Sequence, residues 1–309
     1  MLPVELLEHL TERVTLPRTG KTYVVVRPGL GLAMYYGQPL HEIVPAVDRM
    51  AHAYLDFIPK GSITALGGAN AWGAFTPARF QRQLKQLASK AVVYTNIDLA
   101  SDALLASEGP YGWHLDGGNL SNVEVRPNNT NVCFHEFPHD EIERVGVAQI
   151  VEWVESVAEI TPFETGQFGY SFNKLQRTWT SEADAFVGRM AMRFRGFDIL
   201  GSQIARETRG LVPNCSWLTL LGDGIVEKLG GEGAIHSAVS PAVTLRQIRG
   251  GLLLVAGELP PVGDVNRRAL DLGPLKEVAR VTKPARVAKR VLFYGTEAFR
   301  HNWVNRFDD

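Results

Sequence analysis

Apolar positions recur along this chain with two different periods, and the period changes from segment to segment. Residues 2–14, "LPVELLEHLTERV", carry their leucines and valines at the spacing of a short amphipathic helix. Tyr23–Val26 and Leu32–Tyr36 are strand-like runs, and Pro28-Gly29 between them predicts a hairpin turn. Helical spacing returns with Val44, Val47, Ala51, Tyr54, Leu55 and Ile58. Thr76-Pro77 supplies an N-cap followed by Pro at the first helical position, and the helix it opens carries Phe80, Leu84 and Leu87 on one face. "AVVYTNID" predicts the next strand, and "VCFHEFP" (132–138) another. Between them, residues 107–131 are rich in Gly, Pro and Asn and form a long turn-rich connection with room for a short hairpin. Loops of this length often carry function, which makes Trp113 and the asparagines around it candidates for an interface.

The second half restarts a similar pattern. "VAQIVEWVESVAEITP" (147–162) is an amphipathic helix that can be laid on residues 44–59 without a gap, and "LVAGELP" (254–260) resembles residues 132–138. An internal duplication would explain both matches. "SEADAFVGRMAMRF" opens with Ser181 and Asp184 at the spacing of a capping box. Trp217, Leu221, Ile225 and Leu229 repeat every four residues and predict one helix face, stopped by Gly230 as a left-handed cap. "GGLLLVAGELP" predicts a buried strand, and Phe299, Trp303 and Phe307 predict a docked terminal helix. Helices and strands mix without regular alternation. The expected class is therefore α+β, with a mixed, mostly antiparallel sheet packed with amphipathic helices. No linker stands out by composition. The expected organisation is an N-terminal half, 1–140, and a C-terminal half, 141–309, either as two related halves or as one compact domain.

Composition adds mainly exclusions. The 309 residues are 45% hydrophobic and 21% charged, with a formal net charge of −1, so no global basic excess points to nucleic acid. Residues 265–309 hold ten Lys/Arg against five acids, which reads as ordinary solvation of a helix and loops rather than direct nucleic-acid contact. Two distant cysteines, Cys133 and Cys215, are no disulfide framework and suit buried thiols in a reducing compartment. The first residues lack the basic and apolar regions of a signal peptide, and no run approaches 18 apolar residues. The expected location is cytoplasmic, without membrane contact.

One segment looks catalytic. His135-Glu136-Phe137-Pro138-His139 matches H-E-x-x-H, in which a helix brings two imidazoles to one Zn²⁺ and the Glu polarises water. Pro138 would cost a helix about 3 kcal/mol or more at this point. In a strand the two histidines would stand roughly 13 Å apart, too far for one ion. His114 and Asp116 are the available third ligands, and a zinc-dependent hydrolase using His135, Glu136 and His139 is the rival enzymatic reading. The preferred reading is a strand end followed by an acidic turn, with no metal, no cofactor and no catalytic residues. No Walker loop or G-x-S-x-G elbow occurs, and Cys215 has no neighbouring His. His236 reads as an ordinary helical histidine, while Asp198 and Asp264 sit in turn-like settings that favour structural roles.

Residues 193–286 carry a more specific series: "RFRGFDI", "NCSWLTLLGDGIVEKLGG", "GGLLLVAGELPPVGDVNRRA" and "KPAR". It resembles the type VI immunity protein family, whose pattern has an R-F-P-G-[IL]-D segment, an N-W-L-T-x-L-G stretch, a double Gly and x-A-G-x-x-P-x-x-G-D-x-N. Arg193, Phe194, Gly196 and Asp198 match the first, with Arg195 in place of Pro. Trp217, Leu218, Thr219, Leu221 and Gly222 match the second, with Ser216 at the Asn position. Gly230-Gly231, Ala256-Gly257, Pro260, Gly263-Asp264 and Asn266 match the remainder. The first 140 residues match least clearly.

The resemblance implies binding rather than a reaction. Such proteins bind and block a type VI secretion toxin inside the cell that makes it, and many of those toxins look like nucleases of the restriction-endonuclease-like fold. A carrier or chaperone for a secreted effector is the other binding role open to this chain. Motif Trp, Gly and turn Asp residues are what a fold needs, so partner recognition should lie elsewhere. From Glu136 to Glu164 the chain has eight acids and one Arg, a local charge of −7 with His neutral. A nuclease presents basic surface to phosphate, and an acidic face can occupy it and speed encounter. Glu136, Asp140, Glu141, Glu143, Glu152, Glu155 and Glu159 are the expected partner-binding residues. The competing account makes Glu152, Glu155 and Glu159 merely the solvated side of a helix.

Overall fold

A computed structural model describes residues 2–15, 20–68, 72–90, 92, 94–101, 111–119, 129–174, 181–201, 208–267, 272–287 and 297–308. Among these, the chain runs α1 (Val4–His9), β1 (Glu12–Thr15), β2 (Thr22–Tyr36), α2 (Leu40–Phe57), β3 (Ala65–Gly68), β4 (Gly73–Ala74), α3 (Pro77–Leu87), β5 (Thr95–Ala100), β6 (Gly112–Gly117) and β7 (Asn131–Pro138). It continues α4 (Glu141–Val145), α5 (Val147–Ala158), β8 (Thr165–Lys174), α6 (Ser181–Arg193), β9 (Leu218–Gly222), α7 (Asp223–Lys228) and α8 (Glu232–Ala238). It closes with β10 (Val243–Ile248), β11 (Gly251–Ala256), α9 (Gly273–Thr282), a 3₁₀ turn at Lys283–Ala285 and α10 (Glu297–Val304). The α+β class with an antiparallel sheet is as the sequence predicts. The strands form one 11-stranded sheet in the order β10-β11-β9-β8-β2-β7-β6-β5-β3-β4, with β1 added alongside β2.

The predicted turn at Pro28-Gly29 does not form. Residues 22–36 are one continuous strand, paired with β8 from Val26↔Lys174 to Tyr35↔Thr165. Its other edge pairs with β1 through Val26 and with β7 from Gly29↔Pro138 onward, so Pro28 falls in the gap between two partners. A proline, which lacks a ladder N–H, is tolerated at such a break. Gly29 is there for space: a Cβ would stand 2.2 Å from the Asn173 Nδ2 and 2.6 Å from the Phe137 carbonyl.

Other expectations shift for the same reason, that pairing outranks local periodicity. The predicted helix over 2–14 ends at His9, and Glu12–Thr15 pairs with β2 instead. The Trp217–Leu229 segment divides into β9 and α7, because Leu218–Gly222 bonds β8 on one side and β11 on the other. Its spacing of four is a strand buried on both faces followed by a short helix. Gly230 and Gly231 still end that helix, with φ of +93° and +86°. The strand predicted at 91–98 is β5 at Thr95–Ala100, and the turn-rich connection contains β6. Trp113 is 1% exposed within β6, so it packs in the core rather than at an interface. Two of the asparagines of this connection are also tied inward, Asn119 donating to the Ser89 carbonyl and Asn131 to that of Gln38, while Asn122 and Asn128 lie outside the described residues. Thr76 caps α3 as predicted, accepting from the Arg79 N–H at 3.2 Å.

The sheet is covered on both faces. Leu30, Leu32, Phe137, Trp113 and Phe168 belong to the large core with α2, α3, α5 and α6. In an aromatic knot, Phe137 packs edge to face on Tyr54, Phe57 and Trp153 at centroid separations of 5.0–5.9 Å, while Trp153 meets Phe57 and Tyr54 in tilted pairs at 5.1 and 6.4 Å. The opposite face is mixed at its middle, where Gln167, Ser171 and Asn173 are buried beside a small apolar cluster of Ala33, Tyr35, Val132, Phe134 and Leu200. At one end Leu221, Leu252 and Leu254 build a second core with Ile225, Ile235, Leu275 and Val278 of α7–α9. Both cysteines are buried and free, and burial raises both thiol pKa values. Among the described residues, no helix is long and apolar enough to cross a membrane.

The β2–β8 ladder joins residues on either side of the 140/141 boundary. We propose that the two halves unfold as one unit. Urea denaturation followed by tryptophan fluorescence and by far-ultraviolet circular dichroism is expected to give a single coincident transition. Two separated midpoints would instead identify independent halves.

Candidate functional site

Strand alternation decides what the H-E-x-x-H segment can do. His135 and Glu136 are neighbours on β7, so they face opposite sides of the sheet. His135 lies in the core with no exposed surface, edge-on to Tyr54, Trp113 and Trp153. Burial lowers its pKa to about 3, against a weak opposing contact from Leu32. His139 follows Pro138 in the turn beyond the strand. These three residues are not brought together. His114 and Asp116, considered above as further ligands, form another arrangement. The His114 Nδ1 contacts the Asp98 carboxylate of β5, its Nε2 lies 3.7 Å from Asp116, and its ring stacks on Phe134. Burial works against the imidazolium, but the charge of Asp98 and the bonds from both carboxylates outweigh it and hold the pKa at about 10. No sequence spacing signals Asp98, which the β5–β6 register places opposite His114. His236 is exposed on α8, as expected.

The predicted acidic face divides into buried and exposed members. Glu136 is 7% exposed on the polar face of the sheet, where its carboxylate lies against Gly112. Glu141 is fully buried. It accepts from the Tyr111 hydroxyl at 3.0 Å and from Arg144 at 2.9 and 2.5 Å, and so braces α4 rather than facing solvent. Asp140, Glu143, Glu152 and Glu159 are exposed. Glu155 is half-buried and reaches Arg246 of β10 at 3.3 Å. Helix α5 buries Ile150, Val151, Trp153, Val154, Val157 and Ala158, which leaves Glu152, Glu155 and Glu159 together on the remaining side.

Beside that side runs an open groove of about 1270 Å³. Leu2 and Leu6 of the N-terminal segment, Val147 and Ala148 of α5, Val255 of β11 and the 257–264 loop line it. The family-like motif residues build its wall. The backbone N–H groups of Arg195 and Gly196 donate to the carbonyls of Gly263 and Val262 at 3.0 and 3.2 Å, and the Val265 N–H returns to Arg193 at 2.9 Å. Gly196 allows this approach, since a Cβ there would meet the Pro261 carbonyl oxygen at 1.9 Å. Arg193 clamps Asp264 with two bonds of 3.0 and 3.2 Å, which lower the pKa of that carboxyl. Asp264 also accepts from the Asn266 N–H, the turn role its sequence suggests. Asp198 is likewise structural, accepting from Ile199 N–H, Asn214 and Gln167. The motif is legible in the sequence but the groove is not, because its walls come from six separate parts of the chain.

With this geometry in place, comparison with known proteins is informative. A family model described as type VI immunity for VRR-NUC matches residues 47–307. Among solved structures, the fold is similar to that of the Pseudomonas aeruginosa T6SS protein PA0821. The TM-score is 0.78 at 17% identity, over 96% of this chain and 87% of that one. No curated protein matches the sequence.

Two outcomes follow from the buried ion clusters. Arg193→Ala would leave the Asp264 carboxylate, 8% exposed, without its clamp. Because the Arg193 side chain is itself 35% exposed, the expected loss is roughly 2 kcal/mol, below the ~3–5 of a fully buried pair. Chemical denaturation checks it. For His114, a folded pKa of about 10 lies above the ordinary 6.5, so its stabilising contribution is complete below pH 6.5 and fades as pH rises towards 10. The stability gap between the wild type and His114→Gln is therefore expected to be widest near pH 6 and to narrow by pH 10. A gap independent of pH would rule out the charged imidazole.

Proposed function

The chain belongs to the family of type VI immunity proteins for VRR-NUC and is a non-enzymatic neutraliser of a VRR-NUC nuclease toxin; from that premise, we propose that it works by covering the toxin's active or DNA-binding surface. The observation that carries this reading is the run of exposed acids along α4, α5 and their caps: Asp140, Glu143, Glu152 and Glu159, with Glu155 half-buried among them. A nuclease must bind polyphosphate and so offers basic surface. Carboxylates fixed on a helix can take the place of phosphate there without being substrates. Glu136 and Glu141 act behind this face as its supports, through the β7–α4 connection they anchor. A nuclease meets its substrate in the cytoplasm, so we infer that the encounter takes place there.

The test uses purified components. The cognate VRR-NUC toxin is assayed for DNA cleavage while this protein is added in increasing molar ratio. Cleavage should cease near one equivalent. Tight binding with undiminished cleavage would instead mark a carrier of the effector. Glu152→Lys combined with Glu159→Lys is expected to slow association about tenfold and to flatten its dependence on salt, as stopped-flow mixing would show.

A further inference from the structure

Four large hydrophobic side chains are exposed among the described residues: Val4, Tyr94, Leu259 and Val265. Leu259 lines the groove, Val4 lies on α1 between the groove residues Pro3 and Leu6, and Val265 follows the groove residue Asp264. One of the four thus stands in the groove wall, and two more are next in sequence to residues that line it. The groove is open and larger than the ~300–1,000 Å³ of ordinary small-ligand pockets, so it suits a polypeptide surface better than a small molecule.

Its rim is charged on one side. Glu152 and Glu159 share a helix side with the groove residue Ala148, and Glu258 is exposed at the start of the loop. Of the two arginines of the rim, Arg246 is paired with Glu155 at 3.3 Å, whereas Arg267 is exposed and comes only within 3.9 Å of Asp264, whose carboxylate Arg193 already holds. An apolar centre with an acidic border has the anatomy of a binding surface for a basic partner. Resting on the neutralisation reading above, we propose that this groove receives an apolar or aromatic anchor carried on a positively charged segment of the VRR-NUC toxin. A second copy of this chain is the poorer occupant, because a two-fold contact would set the acidic borders against each other. The Arg193–Asp264 clamp and the close approach at Gly196 then have a use beyond folding: they hold the Leu259 loop in place before the partner arrives.

Leu259→Arg and Ala148→Arg test this from two walls of the groove. Both native side chains are exposed, so thermal melts are expected to stay at the wild-type value, and arginine is a good helix former at 148. Binding is measured by calorimetry against a catalytically inactive form of the toxin, and inhibition by DNA cleavage with the active form. Each substitution should weaken Kd by at least about 30-fold, the size of a hot-spot loss. Tyr94→Arg, before β5 and towards the other end of the sheet, should change it by no more than about threefold. Wild-type affinity in both groove variants, with wild-type inhibition, would overturn the groove while leaving neutralisation intact. A wild-type protein that fails to inhibit would remove the underlying reading instead. Light scattering separates the remaining outcome: a wild-type dimer made monomeric by both substitutions, with toxin affinity kept, would assign the groove to self-association and overturn the proposal.

Discussion

The rest of the structure hangs on the pairing of β2 along both of its edges. This 15-residue strand carries β8 on one side and β1 followed by β7 on the other. Every strand of one flank reaches the other through it. Pro28 is accommodated because it sits at the break between β1 and β7, where no ladder bond is demanded of it. Gly29 is needed because Asn173 and the Phe137 carbonyl close over it. Asn173 uses that proximity, donating to the carbonyls of Phe137 at 3.1 Å and Leu30 at 3.4 Å. A polar side chain is thereby buried with its donors satisfied, at the centre of the sheet.

That economy extends across the polar face. Gln167 and Asn214 converge on Asp198, Arg306 of the C-terminal turn donates to Asn214 at 2.8 Å, and His114 is held between two carboxylates. Buried polar groups are costly unless paired, and a paired network ties the segments that supply it into one arrangement. Such a face looks like chemistry when read one residue at a time. Read together, its members mostly satisfy one another. A protein that inhibits by fit needs this rigidity, since an interface ordered before contact loses less entropy on binding.

The surface we propose for the toxin lies at the periphery of this frame. α5 turns its apolar side into the core and its carboxylates outward, and the motif loop stands beside it, clamped by Arg193. On that proposal, motif and interface are separate layers: Phe194, Asp198 and Asp264 are buried where they hold the loop, and Leu259 is displayed by it.

By itself the sequence determined the class of fold, the strong amphipathic helices α2, α3 and α5, the cap at Thr76, the stop at Gly230 and the family. Each is encoded by residues close in the chain or by a motif. It also argued against the H-E-x-x-H site, because Pro138 acts locally. Only the tertiary structure decided the continuity of β2 through Pro28-Gly29, the strand at Leu218–Gly222, the burial of Glu136 and Glu141, and the pairing of His114 with Asp98. Those depend on which segments lie side by side. A run of buried leucines satisfies helix and strand alike until its hydrogen-bond partners are known. A carboxylate reads as surface until an arginine or a tyrosine hydroxyl is brought to it. The groove is the clearest case: six stretches of chain meet there, and no one of them carries its outline.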